Sequence, residues 1–162
     1  MQQTHTEFIG KIIGNKKRIE SELKVKITNK GKIIFINGKA EGEFTAVQVI
    51  SAVNLGFSVE RALLLKDEKM LFQTLNIKEI TKRHNLDEIR GRIIGTKGRT
   101  LKTLNKLTNC AISLKDNQIG IIGNAEEIED AIQALTSLVQ GSRQGNVYGR
   151  LEREKKQKRM RE

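Results

Sequence analysis

Aromatic residues are scarce in this sequence, which has no Trp, one Tyr and five Phe among 162 residues. Platforms on which nucleic-acid bases stack are built from aromatic rings, so an aromatic-rich RNA-binding sheet is not expected. Cysteine is nearly absent too. Cys110 is the only one, and an intramolecular disulfide is therefore excluded.

Long apolar runs are also missing. No segment approaches the roughly 20 apolar residues that a membrane-spanning helix needs. The first five residues, Met1 to His5, lack the basic-then-apolar pattern of a signal peptide. We therefore predict a cytoplasmic protein.

The motifs of common enzyme sites are missing as well. The chain contains no P-loop and no Gly-x-Gly-x-x-Gly segment. His5, His84 and Cys110 are scattered and lack the spacing of metal ligands. Cys110 opens an apolar stretch, which favours a buried position in the core over a nucleophile. We predict a non-enzymatic protein that holds neither a cofactor nor a metal.

The charge, in contrast, is strongly positive, with a formal net value of +11. Such an excess favours a polyanionic partner, either nucleic acid or an anionic membrane surface. The apolar fraction of 37% is sufficient for modest cores and argues against disorder over most of the chain. A soluble protein that is merely basic remains an alternative at this point.

One pattern occurs twice. The segment Ile12-Ile13-Gly14-Asn15-Lys16-Lys17-Arg18 resembles Ile93-Ile94-Gly95-Thr96-Lys97-Gly98-Arg99. A helix is predicted before each glycine loop, and in the second copy a strand at residues 70–75 precedes that helix. Two strands separated by a turn follow each copy, at residues 24–28 and 33–36 and at residues 110–114 and 119–122.

Each copy then continues into an amphipathic helix. The apolar face comprises Ala46, Val47, Ile50 and Val53 in the first copy, and Ile128, Ala131, Ile132, Leu135, Leu138 and Val139 in the second. Asn124 and Glu127 have the spacing of a capping box at the start of the second of these helices.

The order strand–helix–loop–helix–strand–strand–helix predicts an α+β fold, in which each module is a three-stranded sheet packed against three helices. We predict the first module at residues 1–55, a helical linker at 56–68 and the second module at 69–142. The linker has no proline and no Ser/Gly tract, so a floppy tether is not expected. The basic tail at 143–162 is predicted to be a solvated, partly frayed helix, with RNA contact as the alternative.

The segment from Gly95 to Gly98 has the chemistry of a phosphate site. A helix start exposes unpaired N–H groups and a partial positive charge, which favour an anion. Glycines allow a sharp turn and a close approach of the phosphate-sugar chain. Thr96 and Lys97 form the tip of this loop and Arg99 starts the next helix, so both basic side chains can add charge-assisted contacts.

The helix after the loop extends this basic surface. Leu101, Leu104 and Leu107 recur at helical spacing and are expected to face the core. Lys102 and Lys106 are four residues apart and share a more exposed face of the helix. This face either contacts RNA or is an ordinary solvated surface, and the spacing does not distinguish the two. Ile94 and the following strand would form the floor of a groove for bases. Arg92, just before the loop, completes the predicted RNA-binding set.

The second copy resembles the KH domain, whose mark is Ile-Gly-x-x-Gly-x-x-Ile in a βααββα module. Residues 94–101 match it with one conservative change, Leu101 for the last isoleucine. The resemblance implies two tandem type I KH modules. It also implies that this loop clamps about four nucleotides of single-stranded RNA.

The first copy departs from the KH pattern. Lys17 replaces the second glycine, and Ile19 comes one residue too early to match Leu101, which indicates a shortened loop. We expect this module to bind RNA weakly or through charge alone, or to contact protein. The residues predicted for such accessory binding are Gly14, Lys16, Lys17 and Arg18.

Two KH-like modules, the first of them degenerate, are similar to the archaeal and eukaryotic small-subunit ribosome assembly factor known as the partner of the Nob endonuclease. Residues 56–63, 91–95, 141–143 and 147–148 carry this resemblance, which covers nearly the whole chain and favours the archaeal form. It implies binding near the 3′ end of small-subunit rRNA and assistance to its endonucleolytic processing. It also implies the Nob endonuclease and the alpha subunit of translation initiation factor 2 as partners.

Two other functions remain open from the sequence. The modules could serve as a protein-binding adapter for a translation or assembly factor, with RNA incidental. A KH protein that binds mRNA or single-stranded DNA is the other possibility.

Overall fold

The computed structural model describes residues 1–161, and Glu162, the last residue of the predicted tail, lies outside them. The chain divides into two compact units, Met1–Phe72 and Gln73–Glu162. Within the described residues, no helix is both long enough and apolar enough to cross a membrane.

The first unit contains one three-stranded antiparallel sheet with strand order β1-β3-β2. Its elements are β1 (Gln2–His5), α1 (Ile9–Gly14), α2 (Lys16–Leu23), β2 (Val25–Lys30), β3 (Ile33–Gly38), α3 (Ala40–Asn54), α4 (Val59–Ala62) and a 3₁₀ turn (Leu63–Lys66). Alternation along the strands places Ile27 opposite Ile36, both fully buried, while Lys26 is exposed.

Residues 56–68, predicted to be a linker, lie within the first unit. The hydroxyl of Ser58 accepts a hydrogen bond from the N–H of Arg61 and so caps α4. Val59, Ala62 and Leu63 are buried. This segment therefore belongs to a packed unit because its apolar residues join the core.

The second unit repeats the arrangement, with strand order β4-β6-β5. Its elements are β4 (Leu71–Asn76), α5 (Ile77–Ile80), α6 (Leu86–Ile94), a 3₁₀ turn (Thr96–Gly98), α7 (Arg99–Thr108), β5 (Ala111–Lys115), β6 (Gln118–Gly123), α8 (Ala125–Val139) and α9 (Gln144–Arg161). Ile112 pairs with Ile121, and both side chains are buried under the helices.

Two details of the helices bear on the site. Asn124 caps α8 as predicted, since its side-chain oxygen accepts from the N–H of Glu127 at 2.9 Å. The tail forms α9, and its Val147 and Leu151, four residues apart, are buried in the core of the second unit. A pair of apolar residues thus anchors a segment whose composition is otherwise charged. The predicted α+β architecture is confirmed. Beyond three helices in each module, the structure has α4 and α9, which lie in the segments predicted as a helical linker and a helical tail, and the short helix α5.

Candidate nucleic-acid interface

The loop between α6 and α7 begins where α6 ends abruptly. Ile93 is buried, whereas the next side chain, Ile94, is 38% exposed. The N–H of Gly95 still bonds to the carbonyl of Gly91 at 2.8 Å, but its φ of 76° and ψ of 173° turn the chain out of the helix. That conformation is essentially restricted to glycine.

Gly95 is needed for a second reason, which is the closeness of α7. A Cβ at this position would lie 2.1 Å from Oγ1 of Thr100 and 2.7 Å from its backbone nitrogen. The absence of a side chain at Gly95 therefore lets the first turn of α7 pack directly against the end of α6.

The tip of the loop contains two consecutive residues in the left-handed region, Lys97 with φ 55° and Gly98 with φ 74°. The N–H of Gly98 donates to the carbonyl of Gly95 at 3.2 Å and closes the turn. A Cβ at Gly98 would meet no atom within 4 Å. This glycine thus presents open backbone on the outer side of the loop, where a phosphate could approach the start of α7.

Basic side chains lie at the loop and along α7. Lys97, Arg99, Lys102 and Lys106 are exposed, and none of them forms an ion pair with a carboxylate among residues 1–161. Thr96, also exposed, lies beside them at the loop tip. The loop and α7 therefore bring most of the predicted RNA-binding residues together on one basic surface.

The apolar face of α7 orients this surface relative to the sheet. Leu104 is fully buried, and Leu101 and Leu107 pack against the same core. Toward β5, Oδ1 of Asn105 accepts from the N–H of Ile112 at 3.1 Å. The predicted groove for bases would run along this side of α7, and the role of Ile94 in its floor stays a prediction.

Arg92 differs from the basic residues of the loop and of α7 because its side chain has a partner inside the protein. Its guanidinium donates to the carbonyl of Ser142 at 2.5 Å. The arginine thereby ties the last turn of α6 to the segment that precedes α9.

Sequence reasoning missed Gln144 and Thr100. The side-chain amide of Gln144 donates to the carbonyl of Arg92 at 3.0 Å and to Oγ1 of Thr100 at 3.1 Å. Thr100 is buried and forms part of the contact with Gly95. Thr100 and Arg92 lie 44 and 52 positions before Gln144 in the sequence, so no local pattern could have indicated these contacts.

The corresponding loop of the first unit has a different form. Only Asn15, with φ −114°, separates α1 from α2, and no residue from Gly14 to Arg18 has a positive φ. The shortening expected from the spacing is therefore present, and the left-handed turn of the second loop is not.

The charges near the first loop are also arranged differently. Lys17 and Arg18 are exposed and Lys16 is half-buried. Glu22 lies 2.8 Å from the ammonium of Lys66 and 2.9 Å from the guanidinium of Arg18. These two hydrogen bonds hold the pKa of Glu22 below its usual value. Part of the positive charge is thus balanced by an internal carboxylate.

Cys110 lies in the core, as predicted. Burial raises the pKa of its thiol to about 11. The thiol also donates a hydrogen bond to the backbone carbonyl of Thr108. No group of three potential metal ligands occurs within the part of the chain that the structure describes.

Comparison with known proteins identifies the family. The profile of the second KH domain of PNO1, described as a eukaryotic type KH domain of type I, matches residues 71–156. A KH domain-containing protein of Methanocaldococcus jannaschii is 30% identical over 155 residues, which cover 91% of this chain and 68% of that protein. The chain belongs to the PNO1/Dim2 family of KH-domain proteins. The resemblance seen in the sequence is therefore confirmed.

Other members of the family show how far the similarity extends. The pre-rRNA-processing protein PNO1 of Eremothecium gossypii is 35% identical over 105 residues, 63% of this chain but only 39% of that longer protein. Among solved structures, a chain in the a/eIF2alpha-aDim2p-rRNA complex from Pyrococcus horikoshii is 32% identical, with a TM-score of 0.87 and coverage of 96% of this chain and 94% of that one. Named members of the family are RNA-binding and pre-rRNA-processing proteins, and the fold of this chain matches that of Dim2p nearly throughout.

Proposed function

We propose that this protein binds single-stranded RNA near the 3′ end of small-subunit rRNA and assists the endonucleolytic maturation of that RNA. The observation that carries the proposal is the loop from Gly95 to Gly98, with its left-handed tip and its unpaired basic neighbours. Fungal relatives named for pre-rRNA processing and the rRNA in the Pyrococcus horikoshii complex support the choice of RNA.

The loop would hold the RNA through its backbone phosphates. The phosphate-sugar chain passes over Gly98, where the missing Cβ leaves the space open. N–H groups at the start of α7 and the side chains of Lys97 and Arg99 supply hydrogen bonds and positive charge. The bases turn toward the groove beside β5, bordered by Lys102 and Lys106. About four nucleotides fit such a clamp.

A binding titration with Gly98→Asp tests this assignment. The ligand is a labelled single-stranded RNA with the sequence of the 3′ end of small-subunit rRNA. Aspartate tolerates the left-handed conformation, so the fold is retained while a carboxylate enters the phosphate position. We expect at least a tenfold loss of affinity.

Two control variants separate the effect of the added charge from that of the added bulk, and a local effect at the loop from a general effect of charge. Gly98→Asn adds the same bulk without the charge and should lose less affinity than Gly98→Asp. Gly10→Asp adds the same charge in α1 of the first unit, where a Cβ also meets no atom within 4 Å, and should bind like the wild type. Equal binding by Gly98→Asp and the wild type would show that the RNA site lies elsewhere.

The location on rRNA is tested in cells. Crosslinking of bound RNA followed by sequencing should give reads concentrated at the 3′ end of small-subunit rRNA. Reads spread over mRNA would contradict the proposal. A single-stranded DNA of the same sequence should bind more weakly than the RNA if 2′-hydroxyl groups contribute to recognition.

A role as a protein adapter is a second candidate, and the first unit favours it. Its α1–α2 connection lacks the left-handed turn, and Glu22 balances part of its charge. The Pyrococcus horikoshii complex contains a/eIF2alpha beside aDim2p, which supports the alpha subunit of the initiation factor as a partner. The Nob endonuclease is the other proposed partner.

Calorimetry of the archaeal initiation-factor subunit with the wild type and with Gly98→Asp distinguishes the two roles. An adapter surface separate from the RNA loop predicts equal affinity for both proteins. Loss of this binding in Gly98→Asp would place the protein partner on the RNA loop itself.

A further inference from the structure

A second cavity opens beside the glycine loop, on the side of α9. This cleft has a volume of about 710 Å³ and is bounded by α6, the first turn of α7 and the start of α9. Gly95 and Thr96 of the loop line one end of it. Its size lies within the range of sites that hold small organic ligands or nucleotides.

The cleft and the groove for bases lie on opposite flanks of α7. Asn105 faces β5 through its hydrogen bond with Ile112. Thr100 and Thr103, which line the cleft, lie on the other side of the helix, toward α9. The cleft therefore extends away from the groove and shares Arg92, Gly95, Thr96 and Arg99 with the predicted RNA-binding surface.

The chemistry of the lining suits the base of a nucleotide. Tyr148, the only tyrosine of the chain, packs against the core and contributes to the wall of the cleft. Aromatic faces stack with any base. The Nε2 of Gln144 is used internally, but its Oε1 accepts no hydrogen bond from residues 1–161 and is available to an N–H group of a base.

The charges point to a ligand that carries phosphate. Arg99 lines the cleft and has no carboxylate partner within the described chain. Glu88 is the single acidic residue of the lining, and its carboxylate accepts a hydrogen bond from Asn85 at 2.6 Å. Positive charge therefore remains where the cleft meets the loop.

We propose that this cleft binds one further nucleotide of the RNA strand, next to the nucleotides held by the loop, with its base stacked on Tyr148. This inference rests on the proposed RNA-binding function. A strand that passes over Gly98 must leave the loop at one of its ends, and the cleft begins at Gly95 and Thr96. RNA is favoured over a peptide because Arg99 can bind the linking phosphate while the ring receives the base.

Binding titrations with oligonucleotides of two lengths test the inference. The short RNA fills only the groove of about four nucleotides, and longer RNAs carry one or two extra nucleotides at either end. In the wild type, extension at one end should raise affinity about tenfold, the scale of one base–aromatic stack. Tyr148→Phe should keep this gain. Tyr148→Leu should lose it and still bind the short RNA like the wild type.

A second variant fills the cleft without touching Tyr148. A Cβ at Gly91 meets no atom within 4 Å, and Gly91 lines the cleft, so Gly91→Leu puts a side chain into the empty space. This variant should also lose the gain from extension. Gly145→Leu is the matched control, because its Cβ also meets no atom within 4 Å but the residue does not line the cleft.

The outcomes separate this inference from the proposed function. In one outcome the short RNA binds and Gly98→Asp weakens this binding, but extension of the RNA adds no affinity, or Tyr148→Leu and Gly91→Leu keep the gain in affinity from extension. The cleft is then not a nucleotide site. If the wild type binds neither length, both the cleft and the proposed function are wrong. Affinity lost equally for short and long RNAs in Tyr148→Leu would mean that Tyr148 acts on the loop and would overturn the stacking role.

Discussion

The side-chain amide of Gln144 donates to the hydroxyl oxygen of Thr100 over 3.1 Å, although the two residues are 44 positions apart. The same nitrogen donates to the carbonyl of Arg92 at 3.0 Å. One amide from α9 therefore connects the last turn of α6 with the first turn of α7. These are the two helix ends between which the glycine loop is held, so α9 is part of the support of the loop.

Gln144→Ala should weaken both folding and RNA binding. The variant removes two hydrogen bonds and leaves a half-buried carbonyl and hydroxyl without their donor, which costs about 1–2 kcal/mol of unfolding free energy. RNA affinity should fall because the loop is held less firmly. Urea denaturation and the RNA titration measure the two effects. Gln133→Ala, at an exposed position on α8, is the control and should change neither. A variant of Gln144 as stable as the wild type would mean that these hydrogen bonds add nothing.

The two glycines of the loop should respond differently to alanine. Gly95→Ala combines a glycine-only conformation with a Cβ 2.1 Å from Oγ1 of Thr100, and we expect a loss of about 3 kcal/mol or more. Gly98→Ala meets open space in a left-handed conformation and should cost about 1–2 kcal/mol. Denaturation midpoints at a constant m-value compare the two. Equal losses would mean that the contact with Thr100 relaxes freely.

Lys102 and Lys106 should each contribute to the salt dependence of RNA affinity. Each phosphate contact to a single strand adds about 0.7 to the slope of log affinity against log salt concentration. Lys102→Ala combined with Lys106→Ala should therefore lower the slope by about 1.4 if both lysines contact phosphate. The matched control combines Lys26→Ala with Lys30→Ala, which removes the same charge from exposed positions of β2. The same decrease in both double variants would indicate an effect of net charge alone.

The thiol of Cys110 should be inert in the folded protein. Burial raises its pKa to about 11, so at pH 8 roughly one molecule in a thousand carries the reactive thiolate. The sulfur also faces Gly123, where a Cβ would lie 2.6 Å from it. A thiol reagent such as 5,5′-dithiobis(2-nitrobenzoate) should react with the protein in guanidinium chloride and not with the native protein. Rapid reaction of the native protein at pH 8 would contradict a core position for Cys110.

The sequence was sufficient for the parts of the fold that local patterns determine. Alternation of apolar and polar residues at 24–28 predicted the strand that the structure contains as β2, and the strand predicted at residues 119–122 is present within β6. Asn124 was predicted as a helix cap because an N-cap acts over three residues. The glycine loop was predictable for the same reason, since its conformation depends on residues that are adjacent in the chain.

Contacts between distant segments could not be predicted in this way. Gln144 is an ordinary polar residue at the start of a charged helix, and its role depends on how α9 packs against α6 and α7. The burial of Val147 and Leu151 was hidden by the charged residues around them, because a stripe of two apolar side chains gives a weak periodic signal. The cleft was not visible either, since residues of three helices line it.

The single residue Asn15 between α1 and α2 determines whether the first unit can be converted into a phosphate-binding module. Lys17→Gly alone cannot rebuild a phosphate clamp there, because one residue connects these helices whereas Gly95 to Gly98 lie between α6 and α7. An insertion would be needed, and it would also have to shift α2 along its axis without disturbing the buried Ile19. A loop like that of the second unit would thus require a longer chain between α1 and α2, since substitutions add no residue there.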